Sequence, residues 1–199
     1  MDKRELEIKL QDLAGFSSPN PELEQYRTPP ELAASLLWKI HLDEGFKDKV
    51  VYDLGCGTGT LGIGAKLMGA SRVICVDIDD EAVDITRSNA ERLGVEVESV
   101  VSDIEDLQEE ADMVVQNPPF GSQKKGNDRP FIKKSLELAP FVYSFHMSTT
   151  GNFVERFVEN CGGRITYSED LMFPLEKTMP WHSEKMKDVE VRLYRFERV

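Results

Sequence analysis

Asn117-Pro118-Pro119-Phe120 is the segment of this chain whose residue types point most directly to chemistry. An exocyclic amine on an aromatic ring is a poor nucleophile, because its lone pair is delocalised into the ring. The side-chain oxygen of Asn117 and the carbonyl of Pro118 offer two acceptors, one for each amine hydrogen. Together they aim the lone pair at an incoming methyl group, by positioning and preorganised electrostatics. Each proline disfavours helical backbone in the residue before it, so Asn117 and Pro118 are expected to be extended and Pro119 to stiffen the loop. Phe120 then offers its face to the target ring, and a base–aromatic stack is worth about 1–3 kcal/mol. A base must leave its helix to reach such a pocket, at a cost of a few kcal/mol. As a bare tetrapeptide the segment also fits a tight turn. Its place behind a strand, downstream of a glycine-rich loop, separates the two readings.

That glycine-rich loop follows the apolar run 50–54 and reads Asp53-Leu54-Gly55-Cys56-Gly57-Thr58-Gly59. Glycine lets the backbone turn sharply and lets a ligand approach closely. A dinucleotide-binding loop would more typically read GxGxxG and hold a pyrophosphate on helix-terminal amides. The GxGxG spacing of Gly55, Gly57 and Gly59, with Asp53 just upstream, better suits a cationic ligand such as the amino group of S-adenosylmethionine. Asp77, expected at the end of the second strand, can accept hydrogen bonds from both hydroxyls of a ribose. Ile78 beside it is an apolar wall for an adenine. Asp103, expected at the end of the third strand, can accept from the adenine amine of the cofactor, although Ser102-Asp103-Ile104-Glu105-Asp106 also reads as a helix cap.

These residues require strands that end on one edge. Apolar runs predict strands at 50–54, 72–76, 96–101, 113–116 and 141–146, separated by helices at 60–68, 80–93 and 129–138. Asp79 is placed to cap the second of these helices and Gly94 to stop it. Such alternation predicts a parallel sheet covered on both faces, with ligands at the carboxyl ends of its strands. Period-two alternation at 164–171 and 188–198, after a helix at 150–160, predicts a C-terminal antiparallel hairpin. Ahead of the alternation, a charged helix, a turn-rich link at 16–29 and a helix at 30–41 form an N-terminal extension, residues 1–48, expected to pack on a single domain of 1–199.

The chain has 199 residues and a net charge of −12. That balance opposes holding nucleic acid by bulk electrostatics. The charge is uneven, however: residues 91–112 carry nine acids and one base, residues 121–134 five bases and one acid. Salt screens exposed charges beyond about 8 Å, so Lys124, Lys125 and Arg129 are candidates for phosphate contact. Cys56, Cys75 and Cys161 are too few and scattered for a disulfide framework or a zinc site and read as small buried thiols. No metal site is expected. The alternating charges of the first residues and the lack of a long apolar run predict neither leader nor membrane span, hence a cytoplasmic protein.

With these motifs in place, the sequence resembles the methyltransferase-like family of archaea and eukaryotes, whose animal member makes N6-methyladenosine in small-subunit ribosomal RNA. The resemblance covers nearly the whole chain. It is carried by Leu23-Glu24-Gln25-Tyr26-Arg27-Thr28-Pro29, the Asp53 to Gly59 loop, Asp77-Ile78-Asp79, Asn117 to Ser122, Tyr143-Ser144-Phe145-His146 and Val189-Glu190-Val191. It implies an α/β, Rossmann-like class I methyltransferase with a mostly parallel seven-stranded sheet and S-adenosylmethionine as cofactor, with Gln25, Tyr26 and Thr28 closing over that cofactor. It also implies RNA as partner, together with a small zinc-binding activator that adds a strand to a sheet edge. Met147 departs from the family, where a lysine is frequent. This weakens a basic substrate-binding pair at His146 and favours a packed strand histidine. Trp181-His182 reads either as part of a substrate entrance or as an exposed turn.

Three other readings compete, the first being DNA adenine, against which stand the lack of an obvious target-recognition domain and the unfavourable net charge. A protein glutamine N5-methyltransferase faces the same planar nitrogen, but such enzymes more often carry Tyr at the fourth loop position and a separate helical domain. A catalytically silent assembly factor would bind the cofactor and would have no chemical need of Asn117 and Phe120.

Overall fold

The computed structural model describes residues 1–121, 126–176 and 186–199. Lys124, Lys125, Trp181 and His182, singled out in the sequence, lie outside them. After α1 (Lys3–Gln11) and α2 (Pro30–Asp43) the chain alternates through β1 (Val50–Leu54), α3 (Thr60–Leu67), β2 (Arg72–Asp77), α4 (Asp80–Leu93) and β3 (Glu98–Val101). It continues with β4 (Met113–Gln116), α5 (Arg129–Leu138), β5 (Phe141–Met147) and α6 (Gly151–Asn160), and closes with β6 (Gly163–Glu176) and β7 (Met186–Arg198).

The strands form one seven-stranded sheet in the order β3-β2-β1-β4-β5-β7-β6. The first five are parallel, and β7 runs antiparallel to both β5 and β6. Because side chains alternate across a strand, the central strands feed two cores. Val51, Val73, Cys75, Met113 and Val115 pack with Leu6, Leu10, Leu37 and Ile40 of the N-terminal helices. Tyr52, Leu54, Ile74 and Val114 pack on the other face with Ile132 and Leu136 of α5 and Val154 of α6. Leu6 and Leu10 are fully buried, so the N-terminal extension shares the first core.

Local signals set the helix ends. Asp79 accepts from the Glu81 N–H at the start of α4, and Gly94 ends it with φ +66°. Asp2 and Glu5 form a reciprocal cap on α1. Several boundaries differ from the sequence expectation, among them β3, which begins at Glu98, and the hairpin strands, which extend to Glu176 and from Met186. Pro174 speaks against a strand from sequence alone, yet β6 is the edge of the sheet, where a residue without an N–H is tolerated. Of the three cysteines, Cys56 and Cys75 are buried while Cys161 is only partly so. Among the described residues no helix is long and apolar enough to cross a membrane.

Candidate functional site

At the carboxyl ends of β1, β2 and β4 lies a cavity of about 370 Å³, large enough for a cofactor-sized ligand. Gly55 and Gly57 form its floor, Asp77, Ile78 and Asp103 one side, and Asn117 and Pro119 the other. Gln25 and Tyr26 close it from the N-terminal segment. A much smaller polar recess adjoins it, lined by Thr28, Asp53 and Thr58 and sharing Tyr26 and Asn117.

Gly57 shows why this loop needs glycine. Its φ is +54°, and a Cβ there would stand 3.0 Å from the Phe16 ring. Its N–H donates to Asp77 Oδ2 at 2.8 Å, and the Asp79 N–H donates to Asp77 Oδ1 at 3.0 Å. Burial raises the Asp77 carboxyl above the ordinary range, opposed by those two N–H donors. The two backbone donors fix the orientation of the carboxylate at the cavity wall. Ile78 is 59% exposed and forms an open apolar shelf beside it. Asp103 caps the short helical turn Ile104–Asp106, accepting from the Glu105 N–H at 2.9 Å, and also lines the cavity.

Two of the bonds that tie the N-terminal segment to the domain lie beside the cavity. Gln25 Nε2 donates to Asp79 Oδ2 at 2.5 Å, and Asn117 Nδ2 donates to Thr28 Oγ1 at 3.1 Å. In this orientation of the Asn117 amide, Nδ2 faces the Thr28 hydroxyl and Oδ1 faces away from it. That Oδ1 is buried and has no hydrogen-bond partner among the described residues. A buried acceptor left unpaired costs about 1–3 kcal/mol, so the site holds an acceptor for which the described residues supply no donor. Pro118 is buried and Phe120 half-buried.

Gly59, Pro118, Phe120 and Arg129 line neither the main cavity nor the recess. Gly59 begins α3 with φ +85° and packs towards Thr86 and Ile63. Phe120 lies between Tyr26, at 6.4 Å between ring centroids, and Phe173, at 5.7 Å. Arg129 is exposed, with its guanidinium 4.6 Å above the Phe153 ring. Conversely, Phe16, Pro130 and Phe131 line the cavity without having been singled out. Phe131 looked like any apolar residue in the first turn of a helix, and no local pattern announces that it abuts Gly55.

The Methyltransferase small domain family matches residues 31–138. The chain belongs to this family. The methyltransferase is 38% identical to an uncharacterized protein of Methanocaldococcus jannaschii over 99% of its own length and 94% of that protein. It is 35% identical to the rRNA N(6)-adenosine-methyltransferase Mettl5 of Drosophila melanogaster, over 98% of this chain and 95% of that one. Among solved structures, a candidate RNA methyltransferase from Pyrococcus horikoshii superposes with a TM-score of 0.93 at 39% identity, covering 100% of this chain and 98% of that one.

Within the methyltransferase, Asp53 is 1% exposed and accepts from the Gly62 N–H at 2.7 Å. Burial pushes its carboxyl up to about 7, with the Gly62 bond opposing and the charge of Asp77 adding. Folded protein therefore holds this proton over a range where unfolded chain has released it. Folding stability falls as pH rises from about 4 to about 7 and the penalty is complete above that, on the order of 4 kcal/mol in all. Asp53→Asn keeps the acceptor for Gly62 and removes the titration. Its stability advantage over the unaltered protein, measured by urea unfolding, is expected to grow by roughly 3 kcal/mol between pH 5 and pH 8. A pH-independent difference would mean that Asp53 ionises as it does in water.

Proposed function

We propose that this methyltransferase transfers the methyl group of S-adenosylmethionine to the N6 amine of an adenine in RNA, with small-subunit ribosomal RNA as the substrate. The observation that carries the reading is the buried, unpartnered Oδ1 of the Asn117 amide, which is bonded to Thr28 beside a cavity with the polarity the cofactor requires. Asp77 would take the ribose hydroxyls, Ile78 the face of the cofactor's adenine and Asp103 its amine. Asp53 and the recess around it would hold the charged amino-acid end, and Gln25, Tyr26 and Thr28 would close the site from above. The bound cofactor supplies an electrophilic methyl group on sulfur.

The protein's own task is to prepare the nucleophile. Asn117 Oδ1 and the Pro118 carbonyl accept the two hydrogens of the amine, which directs its lone pair away from the ring, and Phe120 stacks on the base. Proton loss accompanies formation of the N–C bond, so no strong base is required. The full-length likeness to an rRNA N(6)-adenosine-methyltransferase supports adenine in RNA over a protein glutamine. Lys124, Lys125 and Arg129 are the proposed phosphate contacts, and cytoplasmic action on ribosomal RNA follows. The edge strand β3, with Val100 and Val101 exposed, offers one place for a small zinc-binding activator to add a strand.

The test is transfer of labelled methyl from S-adenosylmethionine to small-subunit ribosomal RNA lacking the modification, with nucleosides identified after digestion. Label in N6-methyladenosine is expected. Label on a protein glutamine instead would replace the reading, and cofactor binding without turnover on RNA or protein would leave a silent assembly factor.

A further inference from the structure

We propose that Tyr26 and Phe120 form a clamp that holds the target adenine between their rings, which makes Tyr26 a substrate-recognition residue as well as part of the cofactor wall. This rests on the adenine-N6 reading above and extends it to the second face of the base. The two rings are nearly parallel, 18° apart, with centroids 6.4 Å from each other. Direct aromatic pairs span about 4.5–7 Å between centroids, so this pair stands at the loose end of the range. Stacked bases are spaced by about 3.4 Å, and a base between two rings needs about twice that. The centroid separation is the upper limit of the gap, so a purine entering requires the rings to part by at least a few tenths of an ångström.

The surroundings allow that movement from one side only. Phe120 is backed by Phe173, which is fully buried and meets it at 86°. Tyr26 lies in the irregular segment between the short helical turn Pro21–Leu23 and α2, just after Glu24 with φ +51°. Shifting its ring disturbs no helix or strand. Its flanks nevertheless keep it in register, since Gln25 is bonded to Asp79 and Thr28 to Asn117. The Thr28 bond matters most, because the amide it orients is the one whose Oδ1 waits for the amine. Tyr26 also lines both the cofactor cavity and the polar recess beside it. A base between Tyr26 and Phe120 therefore stacks on a ring that, like Asn117, lines both the cofactor cavity and the recess.

The experiment compares the unaltered enzyme, Tyr26→Ala and Tyr26→Phe on unmodified small-subunit ribosomal RNA, with S-adenosylmethionine affinity measured separately by calorimetric titration. Tyr26→Ala is expected to lower kcat/KM for RNA about tenfold to a hundredfold at saturating cofactor, the effect of losing one base–aromatic stack. Cofactor affinity falls as well, since Tyr26 lines the cofactor cavity, so the deciding quantity is kcat/KM for RNA at saturating cofactor, and Tyr26→Phe should recover most of that loss. If Tyr26→Ala instead weakens only cofactor binding, or Tyr26→Phe is as impaired as Tyr26→Ala, the clamp is wrong while the adenine reading stands. If the unaltered enzyme forms no N6-methyladenosine, the adenine reading fails and the clamp goes with it.

Discussion

Asn117→Ala is expected to lower kcat about 100- to 1000-fold, the usual consequence of removing one preorganised group from an electrostatically prepared site. The structure gives the reason in two contacts. Thr28 Oγ1 accepts from Asn117 Nδ2 at 3.1 Å, and the opposite atom of the same amide, Oδ1, is buried without a partner among the described residues. Truncation removes the acceptor together with the bond to Thr28, and leaves the opposite side of the cavity in place. Asp77, Ile78 and Asp103 remain, so cofactor affinity should fall by no more than a few-fold. Single-turnover methyl transfer beside a cofactor titration separates the two quantities. A variant whose cofactor affinity collapses while its single-turnover rate at saturating cofactor is normal would make Asn117 a cofactor ligand only.

That prediction draws on a part of the molecule that was legible in the chain. Asn117 and its two prolines carry their conformational consequences locally, and Gly57, Asp77 and Asp79 are linked by the turn that joins each strand to its following helix. Parallel strands then bring the ends of β1, β2 and β4 together whatever the details of the helices, so residues chosen one strand at a time converge on one cavity. What was not legible depends on distance in the fold. Asp53 reads from sequence as a ligand for a cation, and the structure shows its carboxylate already accepting from Gly62, a bond that follows from the angle at which α3 leaves the loop. The Thr28 bond to Asn117 spans 89 positions, and no periodicity reports it. Arg129 stands over Phe153 because α5 and α6 pack side by side, which the basic composition of the preceding loop does not reveal.

His146 is the extreme case, and its removal should have the largest effect on stability. Read as a strand histidine, it is indeed 1% exposed in β5, but it is also the middle of a buried polar chain. Gln116 Nε2 donates to Ser144 Oγ at 3.1 Å, Ser144 Oγ lies 2.8 Å from His146 Nε2, and His146 Nδ1 lies 3.2 Å from Asp128 Oδ2. The donors run one way. The Asp128 carboxylate can only accept, so Nδ1–H donates to it, and in that neutral tautomer Nε2 accepts a hydrogen bond from the Ser144 hydroxyl. His146→Leu breaks this chain at its centre and leaves Asp128, 7% exposed, as a buried charge without that partner. The expected loss is about 3–5 kcal/mol, read as a lower urea midpoint at unchanged m. Adding Asp128→Ala should restore at least half of it, because the buried charge is then gone and the Asp128 side chain makes no cap bond to α5. A single variant within about 1 kcal/mol of the unaltered protein would mean that the carboxylate reaches solvent when the histidine is lost. The chain of bonds starts at Gln116, the residue before Asn117, and ends at Asp128, between Asn127 and the Pro130 wall of the cavity. It therefore connects the strand that leads into Asn117 with the segment that carries the cavity residues Asn127 and Pro130. Measured below the unfolding midpoint, His146→Leu should lose activity along with stability, and the double variant should recover stability more completely than activity.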